Sequence, residues 1–145
     1  MRKGLLIEDD VDGLKRAMRC APNPETLEAY CAPDIEWTWV KNYDDFCKYL
    51  LKHGIPDLFA FDHDLNDADY ELWHKHKGYV HEEINYDEYT EKTGYHCAHF
   101  LVNLCMDSKI LLTAEVYSHS MNERGRENIL KLINNFKKHQ ANHGV

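Results

Sequence analysis

Short apolar runs alternate along the chain with segments whose apolar residues recur at helical spacing, and polar clusters close the runs. Leu5-Leu6-Ile7 followed by Glu8-Asp9-Asp10 has the pattern of a buried strand ending in carboxylates. Glu36-Trp37-Thr38-Trp39-Val40 carries the aromatic and β-branched content of a second strand. After Pro56, Leu58-Phe59-Ala60-Phe61 is the clearest buried strand, and it leads into Asp62-His63-Asp64-Leu65. Leu111 to Tyr117 predicts a fourth, leading into Ser118-His119-Ser120-Met121-Asn122.

Helices are expected between these runs. Gly13 to Cys20 reads as a short one stopped by Pro22 and Pro24, and Thr26 to Tyr30 as a further turn or two before Pro33. Asn42 offers an N-cap to a helix carrying Phe46, Tyr49, Leu50 and His53, which ends at Gly54. Thr93-Gly94 opens an amphipathic helix with Cys97, Ala98, Phe100, Leu101, Leu104 and Cys105 on its apolar face. The last helix is predicted from about Arg124 to Lys138, with Ile129, Leu132, Ile133 and Phe136 inward. Strands alternating with helices imply an α/β fold with a mostly parallel sheet. Neither period appears over about 66–92, an acidic stretch rich in Tyr and His that reads as an insertion after the third strand of a single domain spanning 1–145.

Composition narrows the class. The hydrophobic share of 43% and charged share of 29% are those of a soluble globular protein. No apolar run is long enough to cross a bilayer, and the first residues lack the long apolar region of a secretory signal, so a cytoplasmic protein without membrane association is expected. Cys20, Cys31, Cys47, Cys97 and Cys105 form no CxxC pair and read as reduced core thiols. The net charge of −8 is concentrated between Asp57 and Glu91, where eleven acids stand against Lys75 and Lys77. Such a chain is a poor ligand for duplex DNA, whose binding depends on neutralising phosphates. The basic segment with Arg124, Arg126, Lys131, Lys137 and Lys138 still suits a small phosphate or one RNA end.

In open α/β sheets ligands bind at the carboxyl ends of the strands, so the three polar clusters converge on one edge if their strands are parallel neighbours. There Asp9, Asp10 and Asp62, with Asp64, offer oxygen ligands to Mg2+. His63 and His119 suit general acid and base roles. Ser118, Ser120 and Asn122 supply neutral donors for phosphoryl oxygens. Gly125 at the last helix start and the nearby Arg124 and Arg126 suit an anion. His96 and His99 on their helix, and His74, His76 and His81 in the insertion, read as ordinary packing or surface residues. Trp37 and Trp39 share a strand face and read as packing.

These pieces together resemble the cyclic-phosphate-processing branch of the receiver-domain superfold. The resemblance rests on Ile7-Glu8-Asp9-Asp10, Trp37-Thr38-Trp39-Val40, Phe61-Asp62-His63-Asp64-Leu65, Thr93-Gly94-Tyr95, and Val116-Tyr117-Ser118-His119-Ser120-x-Asn122-x-x-Gly125-x-x-Asn128. It implies a receiver-like, flavodoxin-like sheet with a reduced strand count. Asp62 would match the phosphoacceptor position of receivers, Asp9 and Asp10 the acid pair, and Ser118 the hydroxyl, with no strand carrying the receivers' lysine. Asn128 joins the substrate-binding set on this ground. The implied activity is a phosphoesterase acting on a cyclic phosphodiester, a 2′,3′-cyclic phosphate RNA end or a cyclic nucleotide. Two other readings stay open: a non-catalytic module that binds a phosphorylated small molecule, and a protein-interaction domain using the acidic insertion.

Overall fold

In a computed structural model, which describes residues 1–65 and 92–143, four apolar segments pair into one sheet. The strands are β1 (Arg2–Ile7), β2 (Ile35–Val40), β3 (Leu58–Phe61) and β4 (Glu115–Ser118), and their order is β2-β1-β3-β4. All three pairings are parallel. The fold is therefore the expected receiver-like α/β arrangement, a parallel sheet with flanking helices. The insertion predicted over about 66–92 lies, apart from Lys92, outside the described residues.

The helices are α1 (Leu14–Arg19), α2 (Pro24–Cys31), α3 (Tyr43–His53), α4 (Gly94–Ser108) and α5 (Glu123–His143). They cover both faces, which is why all four residues of β3 are buried. Leu5, Ile7, Phe59 and Phe61 pack with Phe46 of α3, Leu101 of α4 and Ile129 of α5. Leu6 and Ala60 project to the opposite face and pack with Ala17 of α1 and Tyr30 of α2. Alternation along each strand thus decides which helices a residue meets.

Two elements differ from expectation. Pro24 reads in sequence as a stop, but it sits at the first turn of α2, where its missing N–H costs nothing, behind an Asn23 cap that accepts from Thr26 N–H at 2.8 Å. The predicted strand from Leu111 is shorter because side chains take its backbone groups. Gln140 accepts from Leu112 N–H at 3.1 Å and donates to Leu112 C=O at 2.7 Å, and Lys137 donates to Ala114 C=O. Pairing with β3 begins only at Glu115.

The start of α4 is seated directly on the end of β3. Gly94 N–H donates to His63 C=O at 2.8 Å, and a Cβ on Gly94 would lie 1.7 Å from the Asp62 carbonyl oxygen. Gly94→Ala is expected to destabilise the fold by up to about 3 kcal/mol, because backbone rather than a flexible side chain must give way. Urea unfolding of the variant measures this.

Candidate active site

The register of the sheet assembles the first part of the site. Ile7, Phe61 and Ser118 lie side by side on β1, β3 and β4. The backbone ladder continues one step further, with Glu8 N–H donating to Val40 C=O, Asp62 N–H to Ile7 C=O and His119 N–H to Phe61 C=O. Glu8, Asp62 and His119 therefore form the next row across three strands, on the face of Leu6, Ala60 and Tyr117. All three are buried, Glu8 and His119 completely. Their ligating atoms lie within 4.8 Å of one another.

Two helices complete this group. From α1, the Arg16 guanidinium reaches Glu8 Oε1 at 2.8 Å and Asp62 Oδ2 at 3.5 Å. From α2, the Tyr30 hydroxyl lies 2.9 Å from His119 Nδ1, while His119 Nε2 lies 3.1 Å from Glu8 Oε1. Burial pushes the Tyr30 phenol well above its usual range, so the hydroxyl keeps its proton and donates it to Nδ1. Nε2 then carries the imidazole proton and donates to Glu8. Burial also holds His119 below the ordinary histidine value, against the pull of Glu8.

Charge is balanced within the row. Burial pushes the Glu8 carboxyl up, but the hydrogen bond from His119, the Asp10 amide and Arg16 outweigh it and bring it down to about 2. Burial and then the Glu8 charge drive Asp62 the other way, well above the carboxylate range. Burial thus disfavours the charged forms of Asp62 and His119 and leaves Glu8 and Arg16 as the paired charges of the row. The repulsion that five clustered acids would exert on a phosphate is largely removed at this row.

A second group stands on the opposite face. His63 lies two residues beyond Phe61, and its ring packs on α5, where a Cβ on Gly125 would fall 2.4 Å from the imidazole. His63 Nδ1 lies 2.7 Å from Asp64 Oδ1, so a carboxylate orients the ring. Asn122 Nδ2 approaches the same nitrogen at 3.5 Å. At the start of α4, His96 Nδ1 accepts from Thr93 N–H at 2.9 Å. Burial, Lys92 and then His63 hold His96 below its ordinary value.

The sequence-predicted residues divide accordingly. Asp62 and His119 share one face, and His63 and Asp64 meet on the other. Ser118 donates to Phe61 C=O at 2.8 Å, and Ser120 Oγ accepts from Asn122 N–H at 3.2 Å. Asn122 Oδ1 accepts from Gly125 N–H at 2.9 Å, so Asn122 caps α5 and holds the turn that carries His119. Arg126 donates to Ser120 C=O at 3.0 Å, whereas Arg124 pairs with Glu127 along the helix at 3.7 Å. Asn128 is half-buried one turn further on. Asp10 lies 3.7 Å from Arg16 at the rim. Glu8, Arg16, Tyr30 and His96 were absent from the residues chosen on sequence.

Asp9 flanks this row. Burial and then the Glu8 charge raise its carboxyl to about 6. A carboxyl raised in the folded state binds its proton more tightly there, so its ionisation costs stability above pH 6 and that cost disappears towards pH 4. Asp9→Asn is therefore expected to raise the melting temperature at pH 8 by a few degrees and to leave it unchanged near pH 4, as calorimetry at the two pH values measures.

Glu8, Asp62 and His119 can hold a divalent ion, since one atom from each lies within reach of a common point. The imidazole nitrogen makes the set less selective for Mg2+, which prefers oxygen ligands, than an all-carboxylate site would be. Arg16 occupies the charge-balancing position beside the same oxygens.

Among known families, the model described as the cyclic-phosphate processing receiver domain matches residues 5–135. No curated protein and no solved structure matches the chain. No helix among the described residues is long and apolar enough to cross a membrane.

Proposed function

Since the chain belongs to the cyclic-phosphate processing receiver-domain family, we propose that it hydrolyses a cyclic phosphodiester, either a cyclic nucleotide or the 2′,3′-cyclic phosphate of an RNA end. The observation that carries the reading is the pair of histidine–carboxylate dyads, His63–Asp64 and His119–Glu8, at one edge of the sheet. In the reaction one water adds to phosphorus and one ring P–O bond breaks, giving a phosphomonoester and a free hydroxyl. His63, oriented by Asp64, takes the proton from water. The leaving oxygen takes a proton from the His119–Glu8–Asp62 row, where burial favours the protonated form of Asp62 and Arg16 offsets the Glu8 charge. The oxygens of the phosphate face Arg16 and the start of α5, with Ser120, Asn122 and Gly125 holding the turn and Arg124, Arg126 and Asn128 along the following helix.

Both imidazoles are buried, so substrate reaches them through a more open arrangement of this edge. A divalent ion, held by Glu8, Asp62 and His119, would supply further positive charge to the phosphate oxygens. Mg2+ is one candidate. We place the reaction in the cytoplasm, with a small phosphate-containing substrate or RNA end as the partner.

Phosphorus NMR with a panel of cyclic phosphodiesters, each with and without EDTA, tests the reading. Conversion of at least one cyclic resonance to a monoester resonance is expected, and the EDTA arm separates charge from an ion from charge supplied by Arg16. An unchanged panel in both arms would leave the phosphoesterase reading without support.

A further inference from the structure

Trp39 carries an observation that the hydrolytic residues do not use. It lies on β2 opposite Leu6, on the face that holds Glu8, Asp62 and His119. Its indole N–H donates to the Glu8 carbonyl oxygen at 2.6 Å, so the ring is fixed in orientation beside the row. One face of the ring rests on the turn before α1, where a Cβ on Gly13 would lie 3.2 Å from three ring atoms at once. Equal distances to Cδ2, Cε2 and Cε3 mean that Gly13 sits over the ring plane. The Lys41 ammonium, on an exposed side chain, lies 4.8 Å from the ring centroid. With that arrangement Trp39 is still 39% exposed, whereas Trp37, two residues earlier on the same strand, is half-buried against Tyr30 and Gly4.

An indole pinned by its N–H, backed by Gly13 and still 39% exposed beside a flexible lysine has the make-up of a stacking platform. Its value to binding is high for a planar aromatic ligand and small for an aliphatic one. We infer that Trp39 stacks the nucleobase of the substrate, which makes the substrate class a nucleobase-bearing phosphate ester rather than a sugar or polyol phosphate. The inference rests on the phosphoesterase reading for the position of the phosphate, which would lie over the adjacent Glu8–Asp62–His119 row. Lys41 leaves the ring when the base arrives, and its flexible stem keeps the ammonium near the phosphate edge.

Binding of uncleavable monoesters separates this inference from turnover. By calorimetry, adenosine 3′-monophosphate is expected to bind about tenfold or more tightly than the base-free methyl riboside 3-phosphate. Trp39→Leu should erase that preference and leave the riboside phosphate unaffected, while Trp39→Tyr keeps most of it. Should the leucine variant fail to fold, ring-current shifts of the Trp39 ring protons in the unmodified protein, seen with the nucleotide alone, decide the matter. A dinucleotide with the same 3′-phosphate that binds no tighter assigns a free nucleotide, and one that binds tighter assigns an RNA end. Equal affinities for nucleotide and riboside phosphate, no binding of either, or a preference that survives in folded Trp39→Leu overturns the inference. None of these outcomes bears on whether a cyclic phosphodiester is hydrolysed, which the phosphorus NMR panel measures separately.

Discussion

Arg16→Met is expected to lower folding stability by about 3–5 kcal/mol at pH 7, as urea unfolding would measure. The reason is Glu8. Its carboxylate is wholly buried, and the Arg16 guanidinium at 2.8 Å is the cation that balances it. Methionine keeps much of the volume of the arginine stem but leaves the anion without that partner. The loss should depend on pH in a stated direction. A carboxyl that sits at about 2 in the folded protein, against 4.5 as its ordinary value, contributes stability that is present above pH 4.5 and is lost as pH falls towards 2. Without Arg16 that contribution shrinks, so the deficit of the variant is largest at neutral pH and narrows in acid. Pairing the change with Glu8→Gln removes the buried charge, and the double variant should recover part of the loss. A deficit of less than about 1 kcal/mol, constant with pH, would show that Arg16 is not the balancing charge.

The second large effect concerns turnover. His63→Ala and His119→Ala are each expected to reduce kcat/KM for a cyclic phosphodiester by about a hundred- to ten-thousandfold. The two losses have different structural costs. Removing the His119 ring leaves the buried Tyr30 hydroxyl without its partner at 2.9 Å and deprives Glu8 of one donor, so destabilisation of about 1–3 kcal/mol accompanies it. Removing the His63 ring empties the space that Gly125 leaves open to it. Circular dichroism on both variants is therefore part of the measurement. A folded variant of either kind with more than a tenth of the original rate would remove that histidine from the mechanism.

The sequence made the strand ends visible but not their partners across the sheet. Buried runs at Leu5-Leu6-Ile7 and Leu58-Phe59-Ala60-Phe61 announce where the strands stop, and Asp62, His63 and His119 follow directly. Choosing among Glu8, Asp9 and Asp10 requires the register, because strand alternation sends neighbouring residues to opposite faces. The register puts Glu8 beside Asp62 and His119. On sequence Asp9 and Asp10 stand out as well, as oxygen donors for a cation. Arg16 and Tyr30 could not be read locally. Each belongs to a short helix with no chemical motif, and only the packing of α1 and α2 under the sheet brings them to the row. His96 reads as an ordinary helical histidine, although its position three residues after Thr93 is the spacing at which a side chain reaches back to the N-cap amide. Strand order brings His63 and His119, the proposed acid and base, to neighbouring strand ends, yet their immediate partners lie on opposite faces of the sheet. That separation requires a substrate reaching across the edge where β3 and β4 end.

The most direct measurement is phosphorus NMR of adenosine 2′,3′-cyclic phosphate and the other cyclic phosphodiesters of the panel with the unmodified protein and with the folded His63→Ala/His119→Ala double variant. The cyclic resonance of a substrate is expected to give way to a monoester resonance with the unmodified protein and to persist with the double variant. Undiminished conversion by the double variant would contradict it.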